Sequence, residues 1–146
     1  MSNFVLRPCV PSDAAWIAEL RAVVMRPDLE RLQRFDPVRV RERFLNGFQP
    51  ENTFVIHVDG VDAGVVALRT EADERWIEHF YLNPAHQGKG LGSAVLRHII
   101  NAPSGGKPFR LNVLQGSPAQ RLYERHGFVV GSQDPVDVFM VAPPTH

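Results

Sequence analysis

The chain is poor in cysteine and has no excess charge of either sign. Its 146 residues include one cysteine, Cys9, so neither an intrachain disulfide nor a multi-cysteine zinc site can form. We therefore expect a reducing, cytoplasmic location and interpret Cys9 as a small buried apolar residue. Lys plus Arg and Asp plus Glu both number 16, which gives a formal net charge of zero. A neutral chain has no overall field to draw it to nucleic acid or an anionic membrane, and we expect neither as a partner.

Long apolar runs are absent as well. No segment approaches the roughly 20 apolar residues that span a bilayer, and residues 1–8 contain no apolar stretch typical of a signal peptide. The apolar content of 44% is ordinary for a globular protein, so we expect residues 1–146 to form a single domain. Four histidines lack the spacing typical of metal ligands, namely His57, His86, His98 and His126. We therefore expect no metal site.

Hydrophobic periodicity predicts an α/β chain with a mixed sheet and the element order βααβββαβαββ. In the first helix, Ser12 is the predicted cap and Pro27 the predicted end. Asp36 is the predicted cap of the second helix, with a proline in the first helical position. The dipeptide Asp59-Gly60 predicts a hairpin between two strands. The tail from Pro143 onward is predicted to fray.

The helix that begins near residue 117 has the clearest signals at both ends. Ser117 and Gln120 match a capping box, with Pro118 in the first helical position. Gly127 stands where a left-handed C-terminal residue belongs, and Phe128 follows it as the apolar contact. The sequence therefore predicts a short helix held at a defined angle.

The most informative segment is the glycine-rich run Gln87-Gly88-Lys89-Gly90-Leu91-Gly92. It lies between a predicted strand at 76–82 and a predicted helix at 91–100. Backbone N–H groups at such a helix start have no partner within the helix, and the helix dipole there also favours an anion. Glycines let a pyrophosphate approach the backbone. The run therefore predicts a phosphate-binding loop.

Two familiar phosphate loops do not match this run. A Walker loop needs a glycine at position 83 and Ser or Thr at position 90, where the chain has Asn83 and Gly90. A dinucleotide fingerprint needs Gly or Ala at position 93 or 95, where the chain has Ser93 and Val95. The pattern that fits is Q/R-x-x-G-x-G/A, which resembles the acyl-CoA pyrophosphate loop of the GNAT superfamily of N-acetyltransferases.

A second block supports that resemblance. The segment Ser117-Pro118-Ala119-Gln120-Arg121-Leu122-Tyr123-Glu124-Arg125-His126-Gly127-Phe128 is similar to the family's second signature, a turn leading into A-x-x-L-Y-E and then G-F. Both blocks occur in the family's order, and the resemblance covers residues 76–128. It implies a GNAT fold in which the central strands of the sheet splay to admit the cofactor.

The resemblance implies acetyl-CoA as cosubstrate and a set of residues that bind it. The backbone of Phe80, Tyr81 and Leu82 would contact the pantetheine arm. The pyrophosphate would lie on the loop and the first turn of the helix, formed by Gln87, Gly88, Lys89, Gly90, Leu91, Gly92 and Ser93. Family members usually carry Asn before the last helix, and Ser117, which has a shorter reach, occupies that turn here.

Transfer to an amine requires a base and an acid, because an amine with a pKa near 10 is protonated at neutral pH. The resemblance assigns the proton donor to Tyr123, which occupies the tyrosine of L-Y-E, and the base to Glu78. Strand alternation would put Glu78 between Trp76 and Phe80, where a carboxylate would hold a proton more strongly. The same alternation would turn His79, the alternative base, to the opposite face.

The predicted function is N-acetyltransfer from acetyl-CoA to a primary amine, on a small molecule or a peptide. The alternative is a non-catalytic acyl-CoA-binding sensor or complex subunit, and another acyl donor is a third option. Six arginines between positions 26 and 43 form either a solvated helical face or a wall in which one arginine binds an acceptor carboxylate. The oligomeric state, including a homodimer, is left open.

Overall fold

The computed structural model describes residues 3–144. Seven strands and four helices follow the predicted order. The strands are β1 (Phe4–Pro8), β2 (Thr53–Val58), β3 (Val61–Thr70), β4 (Arg75–Leu82), β5 (Phe109–Leu114), β6 (Val129–Gln133) and β7 (Asp137–Ala142), and the helices are α1 (Ala14–Arg31), α2 (Pro37–Asn46), α3 (Leu91–Ile100) and α4 (Ala119–Arg125). Thr145 and His146, part of the tail predicted to fray, lie outside the described residues.

The strands form one mixed sheet in the order β1-β2-β3-β4-β5-β7-β6. All neighbouring strands are antiparallel except β4 and β5, which are parallel. The β2–β3 hairpin turns at Asp59 and Gly60, with φ of 51° and 78°, the positive values that a tight two-residue turn requires. The mixed sheet and the hairpin are confirmed.

Two apolar clusters cover the two faces of the sheet. The larger one joins the strands to α3 and α4 and includes Val95, Phe109 and Phe128. The smaller one joins the strands to α1 and α2 and includes Ile17, Phe44 and Val65, with Cys9 at its edge. Burial of Cys9 raises the pKa of its thiol to about 11, so it is the inert buried residue that the sequence predicted.

The start and the end of α1 differ from the prediction. Asp13, not Ser12, organises the start: its carboxylate accepts hydrogen bonds from the Val10 backbone N–H at 2.9 Å and from Trp16 Nε1 at 2.8 Å. The helix also continues through Pro27 to Arg31. A proline removes the hydrogen bond to the carbonyl four residues earlier. Here that carbonyl belongs to Val23, whose residue is 57% exposed, so water can replace the missing donor.

The caps of α2 and α4 follow the sequence more closely. The Asp36 side chain accepts hydrogen bonds from the N–H groups of Val38 and Arg39, as predicted. Ser117 Oγ accepts from the Ala119 N–H at 3.2 Å, so the serine bonds to the start of the helix, but the Gln120 N–H that a capping box requires bonds to the Ser117 carbonyl instead. The glutamine half of the predicted capping box is also wrong, because the Gln120 side chain bonds to Glu124 instead.

No helix among residues 3–144 combines the length and apolarity needed to cross a bilayer.

Candidate functional site

A cavity of about 780 Å³ opens between the sheet and the first two helices. It exists because the parallel strands β4 and β5 pair only at Arg75 with Phe109 and at Trp76 with Arg110. Beyond those pairs the two strands separate, as the resemblance implied. The cavity volume lies within the range of about 300–1,000 Å³ found for small-molecule sites.

Two walls face each other across this cavity. The strand wall consists of the ends of β4 and β5 together with the start of α4, and includes Phe80, Leu111, Val113, Ala119 and Tyr123. The helix wall consists of α1, α2 and their connection, and its polar members are Arg21, Asp28, Arg34, Asp36, Arg39 and Arg43. The 134–137 segment before β7 also contributes to the lining.

A bulge in β4 changes which side chains reach the cavity. Val65 of β3 lies opposite Tyr81, but Ala67 lies opposite Glu78, so β4 has one more residue than β3 across this interval. His79 takes up the extra residue with φ of 49°, an uncommon left-handed conformation for a residue with a side chain. Such bulges redirect side chains and are frequent beside active sites.

The bulge overturns the predicted arrangement of faces. His79 lies on the side of the sheet that carries α1 and α2, because its ring meets the Phe44 ring of α2 edge-on at 5.2 Å. Tyr81 packs against the same cluster, whereas Phe80 packs against the cluster on the other side. Glu78 therefore does not lie between Trp76 and Phe80, and His79 does not face away from it. No glycine marks the bulge, so alternation alone could not reveal it.

Glu78 lines the cavity as an ion-paired and partly solvated carboxylate. Its Oε1 accepts a hydrogen bond from Nε of Arg69 at 3.0 Å, and its side chain is 38% exposed. Arg69 also pairs with Glu71 and lies over the Trp76 ring. Within residues 3–144 the second oxygen, Oε2, has no protein partner. The carboxylate is thus fixed through one oxygen and open through the other.

His79 and Tyr81 form a hydrogen-bonded pair beside Glu78. Nδ1 of His79 and the Tyr81 hydroxyl are 3.2 Å apart. Burial, reinforced by the positive charge of Arg21, lowers the pKa of His79, so its imidazole is neutral at pH 7. Burial raises the pKa of Tyr81. Both groups are consequently uncharged at neutral pH.

Tyr123 reaches the cavity from α4 and is held firmly. Gly127 follows the last turn of the helix with φ of 93°, and the Phe128 N–H bonds back to the Tyr123 carbonyl at 3.1 Å, which is the predicted left-handed ending. The rings of Tyr123 and Phe128 pack 5.6 Å apart. Burial strongly raises the pKa of Tyr123, and in the described part of the chain its hydroxyl has no hydrogen-bond partner. It is a protonated phenol available to a bound molecule.

The glycine-rich loop connects β4 to α3 as predicted. Gly88 and Gly90 have φ of 75° and 82°, values that favour glycine, and α3 begins at Leu91. The N–H groups of the first turn, from Leu91 to Ser93, have no acceptor within the helix. Gln87 closes the loop by donating to the Leu82 carbonyl at 3.0 Å.

The loop lies close to the strand wall. A Cβ atom at Gly92 would be 3.5 Å from Leu82 and 3.6 Å from Leu122, so the start of α3 fits between the end of β4 and α4. Lys89 is exposed and pairs with no carboxylate within residues 3–144. Ser93 Oγ is 3.2 Å from Nε2 of His126. The first turn of α3 therefore packs against the end of β4, the strand whose outer edge β5 leaves unpaired.

Arg21 is the cavity residue that the sequence analysis missed. It belongs to the lining and is only 9% exposed. A signal was present, because position 21 follows Ile17 by four and precedes Val24 by three, on the face predicted to be buried. The six arginines that were singled out divide into two groups. Arg26, Arg31 and Arg41 form surface ion pairs with Glu30, Asp28 and Glu19, whereas Arg34, Arg39 and Arg43 line the cavity.

No group of three or more His, Cys, Asp or Glu side chains within residues 3–144 could hold a metal ion.

Comparison with known proteins agrees with this geometry. The model of a family described as acetyltransferase (GNAT) domain matches residues 49–130, more than half of the chain. A search of curated proteins found no match.

Solved structures with the same fold include several acetyltransferases. PaiA N-acetyltransferase of Thermoplasma acidophilum, solved with coenzyme A, aligns with a TM-score of 0.75 and 16% identity over 97% of this chain and 99% of that chain. The ribosomal-protein-S18-alanine N-acetyltransferase of Escherichia coli aligns with a TM-score of 0.70 and 20% identity over 100% and 96% of the two chains. N-acetylglutamate synthase of Neisseria gonorrhoeae, solved with coenzyme A and L-arginine, gives a TM-score of 0.70 and 22% identity over all of this chain but 34% of its own.

Proposed function

Because the chain belongs to the GNAT acetyltransferase family, we propose that it transfers an acetyl group from acetyl-CoA to a primary amine by direct attack. One observation supports this most strongly. An open strand edge and a tyrosine hydroxyl without a partner within residues 3–144 line one cavity, and the glycine-rich loop directly follows the same strand. The structures of PaiA and N-acetylglutamate synthase contain coenzyme A, which supports the same cosubstrate here.

Acetyl-CoA would bind along the strand wall and supply an activated acetyl group as a thioester. The free N–H groups of Leu91, Gly92 and Ser93 can donate to the pyrophosphate, and the glycines of the loop leave room for its approach. The backbone of residues 80–82 lies on the strand edge that β5 leaves unpaired. The N–H groups on that edge can donate to the thioester oxygen and to the pantetheine arm, and its carbonyls can accept from the arm, except that of Leu82, which already accepts from Gln87.

Glu78 is the proposed base. A primary ammonium group has a pKa near 10 and must lose a proton before its nitrogen can attack. The free Oε2 of Glu78 can accept that proton, directly or through a water molecule, while Arg69 holds Oε1. His79 is the alternative base, and since it lines the same cavity the two can be compared directly by mutation.

Tyr123 is the proposed acid. When the amine nitrogen bonds to the acetyl carbon, the carbon–sulfur bond breaks and the thiolate needs a proton. The buried Tyr123 hydroxyl is protonated at neutral pH and has no competing partner within residues 3–144. The proton taken up by Glu78 returns to solvent, and the tyrosine is reprotonated from solvent, so the site regains its starting state.

The test begins with cofactor binding. Acetyl-CoA at about 100 times its Kd should stabilise the protein by about 2.7 kcal/mol through mass action, whereas ATP and NADH should have little effect. Gly90→Asp should abolish the stabilisation because it puts a carboxylate where phosphate binds. Gly60→Asp is the matched control, since Gly60 has a similar φ of 78° and equally open surroundings but lies in the β2–β3 turn.

Catalysis is then measured as thiol release with a panel of primary amines. Release that depends on both acetyl-CoA and an amine supports the enzyme. Stabilisation by acetyl-CoA without transfer to any amine would instead favour the non-catalytic sensor. Equal stabilisation by ATP and acetyl-CoA would contradict the proposed cofactor.

A further inference from the structure

Arg21 is a buried arginine without a carboxylate partner. It lies in the middle of α1, is 9% exposed and lines the cavity. Its Nε donates to Sδ of Met25 at 3.1 Å, and a thioether is a weak acceptor. Within residues 3–144 no carboxylate lies within ion-pair distance of its guanidinium.

Within residues 3–144, no carboxylate that lines the cavity pairs with Arg21. Each has a partner other than Arg21: Arg31 for Asp28, the α2 N–H groups for Asp36, Arg69 for Glu78, the N–H groups of residues 136 and 137 for Asp134, and Asn112 for Asp137. Arg34, Arg39 and Arg43 also line the cavity without a carboxylate partner in the described part of the chain, but they are exposed to water. Arg21 differs from them because it is buried. A buried, uncompensated charge is costly, and such a group is expected to have a function.

The terminal nitrogens of Arg21 remain available. They are not among the buried side-chain atoms that lack a partner, and they form no hydrogen bond within residues 3–144. They are consequently in contact with the open space of the cavity. A guanidinium offers a planar pair of donors that matches the two oxygens of a carboxylate.

Arg21 is also near the proposed reaction centre. Its charge acts on both His79 and Tyr81, and these residues flank the bulge next to Glu78. Arg21 and Glu78 line the same cavity, so an anionic group bound by Arg21 would share that cavity with an amine at Glu78. A molecule that carries its amine and its carboxylate close together satisfies both positions.

We propose that Arg21 binds the carboxylate of the acceptor and that the acceptors are free amino acids. This inference rests on the proposed N-acetyltransferase function. Peptides are disfavoured as acceptors, because the carboxylate next to their N-terminal amine is replaced by an amide that carries no charge.

The experiment compares each amino acid with its own C-terminal amide. The two molecules share the side chain and the amine. The amine of the amide is less basic, so more of it is unprotonated at neutral pH, and basicity alone would favour the amide over the acid. Wild-type kcat/KM should favour the acid by about tenfold or more, the value expected for a charge-assisted contact. Arg21→Gln should remove the preference, mainly through the KM for the acid, without changing the KM for acetyl-CoA.

Two further variants separate binding from structure. Arg21→Lys keeps the positive charge but loses the planar pair of donors, so it should retain part of the preference for the acid. Arg41→Gln is the control, since Arg41 is exposed and pairs with Glu19; it should keep the full preference. If Arg21→Gln fails to fold, the wild-type comparison of acid and amide still tests whether the acceptor carboxylate is recognised, and Arg21→Lys tests whether Arg21 is the residue that recognises it.

The outcomes distinguish this inference from the function on which it rests. If wild type acetylates amides or simple amines as fast as the acids, the Arg21 proposal is overturned while the acetyltransferase function stands. If no acceptor reacts, the melting temperature of the CoA-saturated protein is measured with each acid and amide. Equal shifts with acid and amide would overturn the Arg21 proposal as well.

Discussion

The strand wall and the helix wall of the cavity present different chemical groups. The strand wall offers backbone groups, apolar side chains, two tyrosine hydroxyl groups and the single carboxylate of Glu78, whereas the helix wall offers four guanidinium groups and two carboxylates. Backbone donors suit the constant parts of a cofactor, because their position depends on the fold more than on any one side chain. Charged side chains can be exchanged one at a time without altering the sheet. Under the proposed function, the strand wall binds the cosubstrate and the helix wall selects the acceptor.

Tyr123→Phe should give the largest effect and tests the strand wall. Loss of a general acid typically lowers kcat by about 10²–10⁴, with the affinity for acetyl-CoA nearly unchanged. Since the hydroxyl has no partner within residues 3–144, the melting temperature should not fall. Tyr81→Phe is the matched control, because the chain has two tyrosines and both line the cavity.

A kcat near the wild-type value in Tyr123→Phe would reduce this tyrosine to a packing residue. An equal loss of kcat in both tyrosine variants would transfer part of the chemistry to the His79–Tyr81 pair. Either result would weaken the distinction between the two walls.

Glu78→Gln tests the boundary between the walls and should have the next largest effect. We expect kcat/KM at pH 7 to fall by about 10², at the lower end of the range for general base catalysis. The loss should shrink at high pH, where more of the amine is already deprotonated. His79→Asn should have a smaller effect. The measurement is a pH profile of kcat/KM for both variants.

The opposite result is informative because the pKa of His79 is lowered. If His79 is the base, kcat/KM rises with pH as the imidazole loses its proton, and this rising limb of the pH profile lies below about pH 6.5. If that limb disappears in His79→Asn and persists in Glu78→Gln, His79 is the base.

The sequence could predict the strand wall because its determinants are local. The left-handed glycines at 88 and 90, the Gly127 ending and the serine cap at 117 depend on a few consecutive residues. The bulge at His79 could not be predicted, since it arises from the register with β3 and has no glycine or proline to mark it.

The helix wall was less predictable because it depends on tertiary contacts. Helical spacing placed Arg21 on the apolar face of α1, but only the fold shows that it has no carboxylate partner there while Arg26 and Arg41 form surface pairs. The continuation of α1 through Pro27 also depends on the tertiary structure, because the cost of the hydrogen bond lost at Pro27 depends on whether the unpaired carbonyl faces water.

Asp13→Asn tests what anchors the helix wall to the sheet. The Asp13 carboxylate is nearly buried and receives two hydrogen bonds from Arg7 of β1. Those bonds hold the pKa of Asp13 well below its usual range. The amide retains neutral hydrogen bonds but loses the charge, so unfolding free energy should fall by about 2 kcal/mol, measured by urea denaturation.

The pH dependence follows from the sign of that shift. A carboxyl group whose pKa is lower in the folded state binds protons more tightly when unfolded, so its contribution is complete above the unfolded value near 3.9. It is lost as the pH falls below that value. The difference between wild type and Asp13→Asn should therefore be constant near neutral pH and shrink below about pH 4. Asp62→Asn, on the exposed side of Arg7, should change stability less; an equal loss would contradict the special role of Asp13.

The smallest effects are expected from the arginines that the fold leaves outside the cavity. Arg26 pairs with Glu30 one helical turn away and Arg41 with Glu19 across the two helices, and all four side chains are at least a third exposed. Exposed pairs contribute little because water and salt screen them. Arg26→Ala and Arg41→Ala should therefore stay within about twofold of wild type in kcat/KM for any acceptor, whereas Arg21→Gln should lose the preference for acids over their amides. If the surface variants instead match Arg21→Gln, acceptor selection depends on the general positive field of the helix wall, and the contrast between one buried guanidinium and its exposed neighbours disappears.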